Sequence, residues 1–143
     1  MIDIVIILCL KKNGELFHID FGHFLGHFKY KMGIKRERAP FVFTSQFKSV
    51  LDVKGYYDEF KQKLHEAYKI LREHSDVLVT LLRILICTDI PELTEKDIEY
   101  LNQSLVLNYS PKEADKFLDD KLKESIDSWS VPINFWIHYI ANK

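Results

Sequence analysis

Hydrophobic positions follow a strand-like pattern at the start of the chain and a helical one after residue 44. Residues 4–10 are rich in β-branched side chains, Asn13-Gly14 is a two-residue turn signal, and residues 15–19 supply a return strand. The pattern predicts a β-hairpin over residues 4–19 that ends directly before Asp20.

The next segment, residues 20–43, keeps neither the helical period of 3.6 nor the strand period of 2. Gly22, Gly26, Gly33 and Pro40 interrupt it. These features predict a long functional loop between the hairpin and a helical region that spans residues 44–143.

Apolar residues then recur at spacings of three and four, which predicts a helix over about residues 56–72. Its stripe contains Phe60, Leu64, Ala67, Tyr68 and Leu71. Ser75 is a candidate cap for the next helix, residues 76–88, which is apolar over most of its circumference. Such a helix is expected to be buried at the centre of the domain.

Two capping boxes and a terminal aromatic cluster predict three further helices. Thr94 with Asp97 forms one box, and residues 110–113, Ser-Pro-Lys-Glu, form the other. A last short helix is expected near Pro132. The fold class is therefore mainly α, with a short β-hairpin, a loop and about five helices.

Composition fits one globular domain, because 47% of the 143 residues are hydrophobic and 29% are charged. The net charge of −1 hides a local excess of cations within residues 29–38, here called the cationic loop. Its cations are Lys29, Lys31, Lys35, Arg36 and Arg38. They predict an anionic partner.

The remaining compositional signals favour an intracellular protein. Cys9 and Cys87 are isolated, so two free thiols are expected. The apolar run at residues 4–10 is too short to cross a bilayer, and Asp3 stands where a signal peptide carries basic residues.

Asp20, followed by Phe21 and Gly22, is the strongest candidate for chemistry. Phosphoryl transfer requires a carboxylate that holds Mg²⁺ against nucleotide phosphates, and a turn after a strand fixes its direction. Taken alone, the tripeptide is also compatible with an ordinary strand-end turn. A zinc site built from His18, His23 and His27 is disfavoured by their irregular spacing.

The amino-acid sequence of the whole loop resembles that of a known family. Residues 18–26 read HIDFGHFLG and residues 35–42 read KRERAPFV. Together they resemble the activation loop of the phosphoinositide 3-kinases, closest to the class I catalytic subunits. The resemblance implies that residues 1–143 are part of a phosphatidylinositol 3-/4-kinase catalytic domain, the C-terminal lobe of a protein-kinase-like lipid kinase.

The resemblance also implies roles for single residues. Asp20 matches the aspartate that binds Mg²⁺, with ATP as the phosphate donor, and His23 matches the histidine that stabilises the transferring phosphate. The alternative for His23 is a structural role, as a neutral imidazole in a satisfied hydrogen bond.

Cations of the loop are implied to contact the inositol phosphates of the substrate: Lys29, Lys31, Lys35, Arg36 and Arg38. Arg binds phosphate oxygens as a fork and Lys as a point charge, which agrees with that role. The cations form two groups, Lys29 with Lys31 and Lys35 with Arg36 and Arg38, and the presence of both favours a bisphosphorylated lipid. The sequence of residues 38–45 is nearer to that of class II, which leaves the subclass open. A solvated charge run is the bland alternative, and nucleic acid is disfavoured because few stacking aromatics are interleaved.

Resemblance extends over the rest of the chain through residues 90–93, 97–101 and 128–129. In this family the terminal helix meets the membrane, which makes Phe135 and Trp136 candidate membrane-facing residues. Phe135 takes the place of the usual tryptophan, so packing against Trp129 is an equal alternative.

Other parts of a kinase are missing from the sequence, notably a catalytic loop of the Asp-Arg-His-x-x-Asn kind. We therefore expect a truncated and catalytically incomplete lobe, whose parent transfers the γ-phosphate of ATP to the 3-hydroxyl of a phosphoinositide. The alternative is a short non-catalytic product that binds headgroups or competes for kinase partners. The expected location is the cytoplasm with recruitment to the membrane surface, and a regulatory subunit is possible for the parent.

Overall fold

Helices dominate the part of the chain that the computed structural model describes, namely residues 6–9, 16–19, 25–28, 30–31, 34–35, 39–41, 43, 45–88, 90, 93–128, 136 and 139–140. The helices are α1 (Ser45–Asp52), α2 (Tyr56–Glu73), α3 (Ser75–Ile86), α4 (Glu95–Leu105) and α5 (Pro111–Ile126). The strands are β1 (Ile6–Cys9), β2 (Leu16–Ile19), β3 (Tyr30–Lys31) and β4 (Ile34–Lys35). The mainly α prediction is confirmed.

The predicted hairpin is present, but its register differs from the one that the turn signal implies. β1 and β2 are antiparallel, with Cys9 opposite Leu16. An uninterrupted ladder from a two-residue turn at Asn13-Gly14 would instead place Cys9 opposite His18. Because the shift is an even number of residues, each strand keeps its faces.

The predicted loop also contains regular structure that periodicity did not reveal. β3 and β4 form a second antiparallel ladder, in which Tyr30 pairs with Lys35 and Lys31 with Ile34. Two-residue strands are too short to give a sequence period, which explains the omission.

Both predicted capping boxes are confirmed. Thr94 caps α4 together with Asp97, and Ser110 caps α5 together with Glu113. Pro111 occupies the first position of α5, where its missing N–H costs no hydrogen bond.

The core lies on α4 and α5 rather than on α3. Its most buried apolar side chains include Ile98, Leu105, Ala114, Leu118 and Leu122, which are at most 4% exposed. The last three lie on one face of α5, as the helical spacing predicts.

Our expectation that α3 forms the buried centre is wrong for the described residues, because none of its side chains is buried. One stripe of α3 is open to solvent at Val77, Leu81, Ile84 and Leu85. A helix that is apolar around its circumference is expected to pack against another surface, but its sequence does not identify that surface. Ser75 is also not the cap, since it is the first helical residue and His74 precedes it.

α2 holds the C-terminal end of α4. Arg72 donates from Nε to the carbonyl oxygen of Leu105 at 2.9 Å, and from Nη2 to those of Val106 at 3.2 Å and Tyr109 at 2.6 Å. Val106 caps α4 at a φ of 42°, a left-handed conformation that β-branched residues seldom adopt. The guanidinium therefore satisfies carbonyls that a helix end leaves open.

Two further findings concern the helical region. α1 was not predicted as a separate helix, and of the terminal helix the described residues are Trp136, Tyr139 and Ile140, all helical. No helix in the described part of the chain combines the length and apolar character that crossing a bilayer requires.

Core placement makes a direct prediction for two leucines. Leu118→Ala removes a side chain that is 3% exposed and should lower the free energy of unfolding by about 2–5 kcal/mol. Leu81→Ala is the matched control: its side chain is 54% exposed, and its cost should stay below about 1 kcal/mol. Urea denaturation measures both, and equal costs would contradict the location of the core.

Candidate functional site

The structure describes only part of the predicted site. Asp20, His23, Lys29, Arg36, Arg38 and Phe135 lie outside the described residues. Lys31 and Lys35 lie in β3 and β4, whose pairing brings their backbones together within one short ladder. β2 ends at Ile19, directly before Asp20 in the sequence.

His27 and Phe28, the two residues directly before the cationic loop, attach its start to α4. His27 Nε2 lies 2.7 Å from Asp97 Oδ1, and the ring of Phe28 meets the ring of Tyr100 edge-on at 5.9 Å. Gly26 has a φ of +88°, and a Cβ added there would lie 2.9 Å from Cδ2 of Tyr100. Only glycine combines this conformation with so close an approach to the ring.

Asp97 divides its two carboxylate oxygens between the helix and the loop. Oδ2 accepts hydrogen bonds from the backbone N of Thr94 at 2.7 Å and from its Oγ1 at 2.9 Å, while Oδ1 faces His27. Burial alone raises the pKa of Asp97, but the bonds from Thr94 and the nearby His27 outweigh it, so the pKa lies below its ordinary value. The carboxylate is therefore ionised at neutral pH.

Phe41, which follows the cationic loop by three residues, attaches its end to α5. The backbone N–H of Phe41 donates to Ser125 Oγ at 2.9 Å, and the Ser125 hydroxyl donates to the carbonyl oxygen of Lys121 at the same distance. Ser125 is 1% exposed, and its hydroxyl has both partners that a buried hydroxyl needs. Nearby, the buried Phe43 stacks on Phe60 of α2, with 5.2 Å between ring centroids.

These attachments were not predicted as parts of the site. His27 entered only as a disfavoured zinc ligand, and Asp97 only as a helix cap. Ser125 was not predicted to have a role, although it follows Leu118 and Leu122 on the buried face of α5. A serine on that face was the one available signal, because a buried hydroxyl needs a partner.

A second titratable cluster joins α2 to α5 away from the loop. His65 lies between two carboxylates, with Nδ1 3.2 Å from Asp115 Oδ1 and Nε2 2.9 Å from Asp119 Oδ1. Lys61 Nζ also lies 2.9 Å from Asp119 Oδ1. Burial lowers the pKa of His65, yet the bonds to the two carboxylates outweigh it and raise the pKa above its ordinary value of 6.5.

A surface cavity of about 310 Å³ adjoins this cluster and is lined by Tyr57, Lys61 and Asp119 among others. Its described lining residues include none of those predicted for phosphate or metal binding. Within the described residues, no group of three or more metal-ligating side chains is close enough to hold a metal ion.

The described residues of the terminal helix form an exposed apolar patch. Trp136, Tyr139 and Ile140 are 64%, 63% and 52% exposed, and their spacing of three and four places them on one side of a helix.

Comparison with known proteins now adds independent information. The sequence model of the family described as phosphatidylinositol 3- and 4-kinase matches residues 6–95, more than half of the chain. Phosphatidylinositol 3-kinase C2 domain-containing subunit gamma from Homo sapiens is 37% identical over 94% of the chain and 9% of its own length. Phosphatidylinositol 3-kinase 2 from Dictyostelium discoideum is 38% identical over 92% of the chain and 7% of its own length. The chain thus spans less than a tenth of these relatives.

The histidine between α2 and α5 predicts a pH dependence of stability. Because folding raises the pKa of His65, its contribution is complete below the unfolded pKa of 6.5 and is lost as pH rises through the folded value. We expect the free energy of unfolding to fall by about 0.5 kcal/mol from pH 5 to pH 8. The change is small because His65 and its two carboxylate partners are partly exposed. Urea denaturation across this range measures it.

His65→Gln is the control for this pH dependence, since glutamine keeps a polar side chain that does not titrate. The slope assigned to His65 should vanish in the variant. An unchanged slope would show that other groups cause it.

Proposed function

The chain belongs to the phosphatidylinositol 3- and 4-kinase family, and on this basis we propose that it supplies the substrate-recognition part of a phosphoinositide 3-kinase. The proposed ligand is the phosphorylated inositol headgroup, and the proposed receptor is the cationic loop. The proposed reaction of the complete enzyme is transfer of the γ-phosphate of ATP to the 3-hydroxyl. The relatives are named as phosphatidylinositol 3-kinases, which supports that position on the ring.

One observation carries the proposal: five cations lie in a ten-residue segment that is attached to helices on both sides. Before the segment, His27 pairs with Asp97, and after it Phe41 bonds to Ser125. A phosphomonoester carries between one and two negative charges near neutral pH, so a bisphosphorylated headgroup needs several cations at once. This requirement favours a bisphosphorylated lipid.

The chemistry of the donor set fits Mg²⁺ and ATP at the hairpin end of the loop. A carboxylate is a suitable ligand for Mg²⁺, and Asp20 follows β2 directly. In the complete enzyme the metal would neutralise charge that develops on the phosphates. Asp20 is proposed to bind it, and His23 is proposed to hydrogen-bond the phosphate in transfer.

We also propose that the surface of a membrane is where the protein acts. Exposed Trp136 lies on the same side of the terminal helix as Tyr139 and Ile140, and tryptophan favours the interface between lipid and water. Phe135 is proposed to contribute to the same contact. A cytoplasmic protein recruited to phosphoinositides fits these features, and a regulatory subunit is compatible with the parent kinase.

The headgroup assignment predicts the behaviour of a double variant. The 143-residue chain should bind phosphatidylcholine vesicles that contain phosphatidylinositol 4,5-bisphosphate, and binding should weaken as salt rises because it is electrostatic. Lys35→Ala with Arg36→Ala should reduce the affinity at least about tenfold, since charge-assisted phosphate contacts contribute roughly 1.5–3 kcal/mol each. Vesicle sedimentation measures the dissociation constant.

Lys112→Ala with Lys116→Ala is the matched control, because it removes the same charge from exposed positions of α5. Its affinity should stay close to that of the unaltered chain. Equal loss in both double variants, or equal binding to vesicles in which phosphatidylserine supplies the same charge, would contradict headgroup recognition.

A further prediction concerns catalysis by these 143 residues alone. The sequence holds no Asp-Arg-His-x-x-Asn loop to orient the attacking hydroxyl. The chain should therefore bind the lipid without transferring phosphate from ATP. Labelled ATP with the same vesicles tests this, and formation of a 3-phosphorylated lipid above a catalyst-free blank would contradict it.

The chain could be a piece of a longer kinase, or a short product that binds headgroups or competes for kinase partners. Both roles predict the same headgroup binding. The size of the endogenous protein distinguishes them. An antibody against residues 112–123 should detect a band several times larger than 17 kDa on a denaturing blot. A sole band near 17 kDa would favour the non-catalytic role.

A further inference from the structure

Two helices hold the two ends of the cationic loop through polar side chains that are themselves buried. Asp97 of α4 is 3% exposed and Ser125 of α5 is 1% exposed. Each uses part of its hydrogen-bonding capacity within its own helix and the remainder on the loop.

The attachment at Asp97 uses the carboxylate oxygen that the helix cap leaves free. Oδ2 takes both hydrogen bonds from Thr94, so Oδ1 is left to face His27 at 2.7 Å. The side chain of His27 is 40% exposed, which means that its removal opens no large cavity. Substitution of His27 therefore breaks this contact with less damage to the fold than substitution of Asp97.

The attachment at Ser125 is a hydrogen bond to the backbone of the loop. Phe41 N–H donates to Oγ at 2.9 Å, so the bond fixes the path of the main chain whatever side chain position 41 carries. Ser125→Ala removes this bond and retains nearly all of the buried volume. The backbone N–H of Phe41 would then lose this partner inside the protein.

We propose that Asp97 and Ser125 are positioning residues for headgroup recognition, which hold the ends of the cationic loop so that its cations meet the phosphates together. The inference rests on the proposed function of that loop. A loop held at both ends loses less conformational entropy when it binds than a loop held at one end. Neither residue needs to touch the lipid.

The expected effect follows from the strength of the contacts. One hydrogen bond contributes roughly 0.5–1.5 kcal/mol net, so His27→Ala and Ser125→Ala should each raise the dissociation constant for bisphosphate-containing vesicles about two- to tenfold. His27→Gln should restore much of the affinity, because its amide N–H₂ can still donate to Asp97. The measurement uses the 143-residue chain and the phosphatidylinositol 4,5-bisphosphate vesicles described above.

Matched variants separate positioning from stability. Asp97→Ala and Glu113→Ala each remove the carboxylate of a capping box, yet only Asp97 also contacts the loop. Likewise, Ser110→Ala and Ser125→Ala each remove a hydroxyl from the ends of α5, and only Ser125 bonds to the loop. Glu113→Ala and Ser110→Ala should lower the unfolding midpoint and leave the dissociation constant unchanged.

The outcomes distinguish this inference from the function on which it rests. If the unaltered chain does not bind the vesicles, the proposed function fails. If the chain binds, and Lys35→Ala with Arg36→Ala weakens binding while His27→Ala and Ser125→Ala do not, the positioning roles are wrong and headgroup recognition stands. If Asp97→Ala does not fold, as circular dichroism would show, His27→Ala still tests the same contact.

Discussion

A buried carboxylate must find partners for both of its oxygens, and Asp97 finds them in two different parts of the chain. Its Oδ2 completes the N-terminal cap of α4, and its Oδ1 faces His27 at the start of the cationic loop. The cap fixes the direction of α4, and α4 in turn carries Ile98 and Leu105 into the core. A single side chain thus links the most buried helix pair to the segment with the greatest positive charge.

The second link is made by Ser125 of α5. Its position on the face that α5 shares with Leu118 and Leu122 explains why the hydroxyl is shielded from water. Because the Ser125 hydroxyl is shielded from water, leaving it without a hydrogen-bond partner would cost free energy, and the bond to Phe41 helps to avoid that cost. The path of the chain at His27 and at Phe41 therefore depends on two buried polar side chains of α4 and α5.

What the sequence could predict was limited by distance along the chain. Both capping boxes were predicted, since each depends on residues three positions apart, and α2 and α5 were predicted from their apolar spacing. The bond from Phe41 to Ser125 joins residues 84 positions apart, and no local pattern reports such a contact. The hairpin register was not predicted for a related reason: the Asn-Gly signal describes a turn, whereas the ladder depends on every pair along both strands. The family motif predicted roles for Asp20 and the cations, but it carried no information about the helices that His27 and Phe41 contact on either side of the cationic loop.

The solvent-facing stripe on α3 has a consequence for how this chain behaves in water. Val77, Leu81 and Ile84 lie one helical turn apart and are all more than half exposed, with Ile70 of the preceding helix exposed to the same degree. Contiguous hydrocarbon of this kind is poorly hydrated and drives chains to associate as their concentration rises. Among the described residues, the exposed apolar stripe of α3 is thus a surface through which copies of the chain can associate.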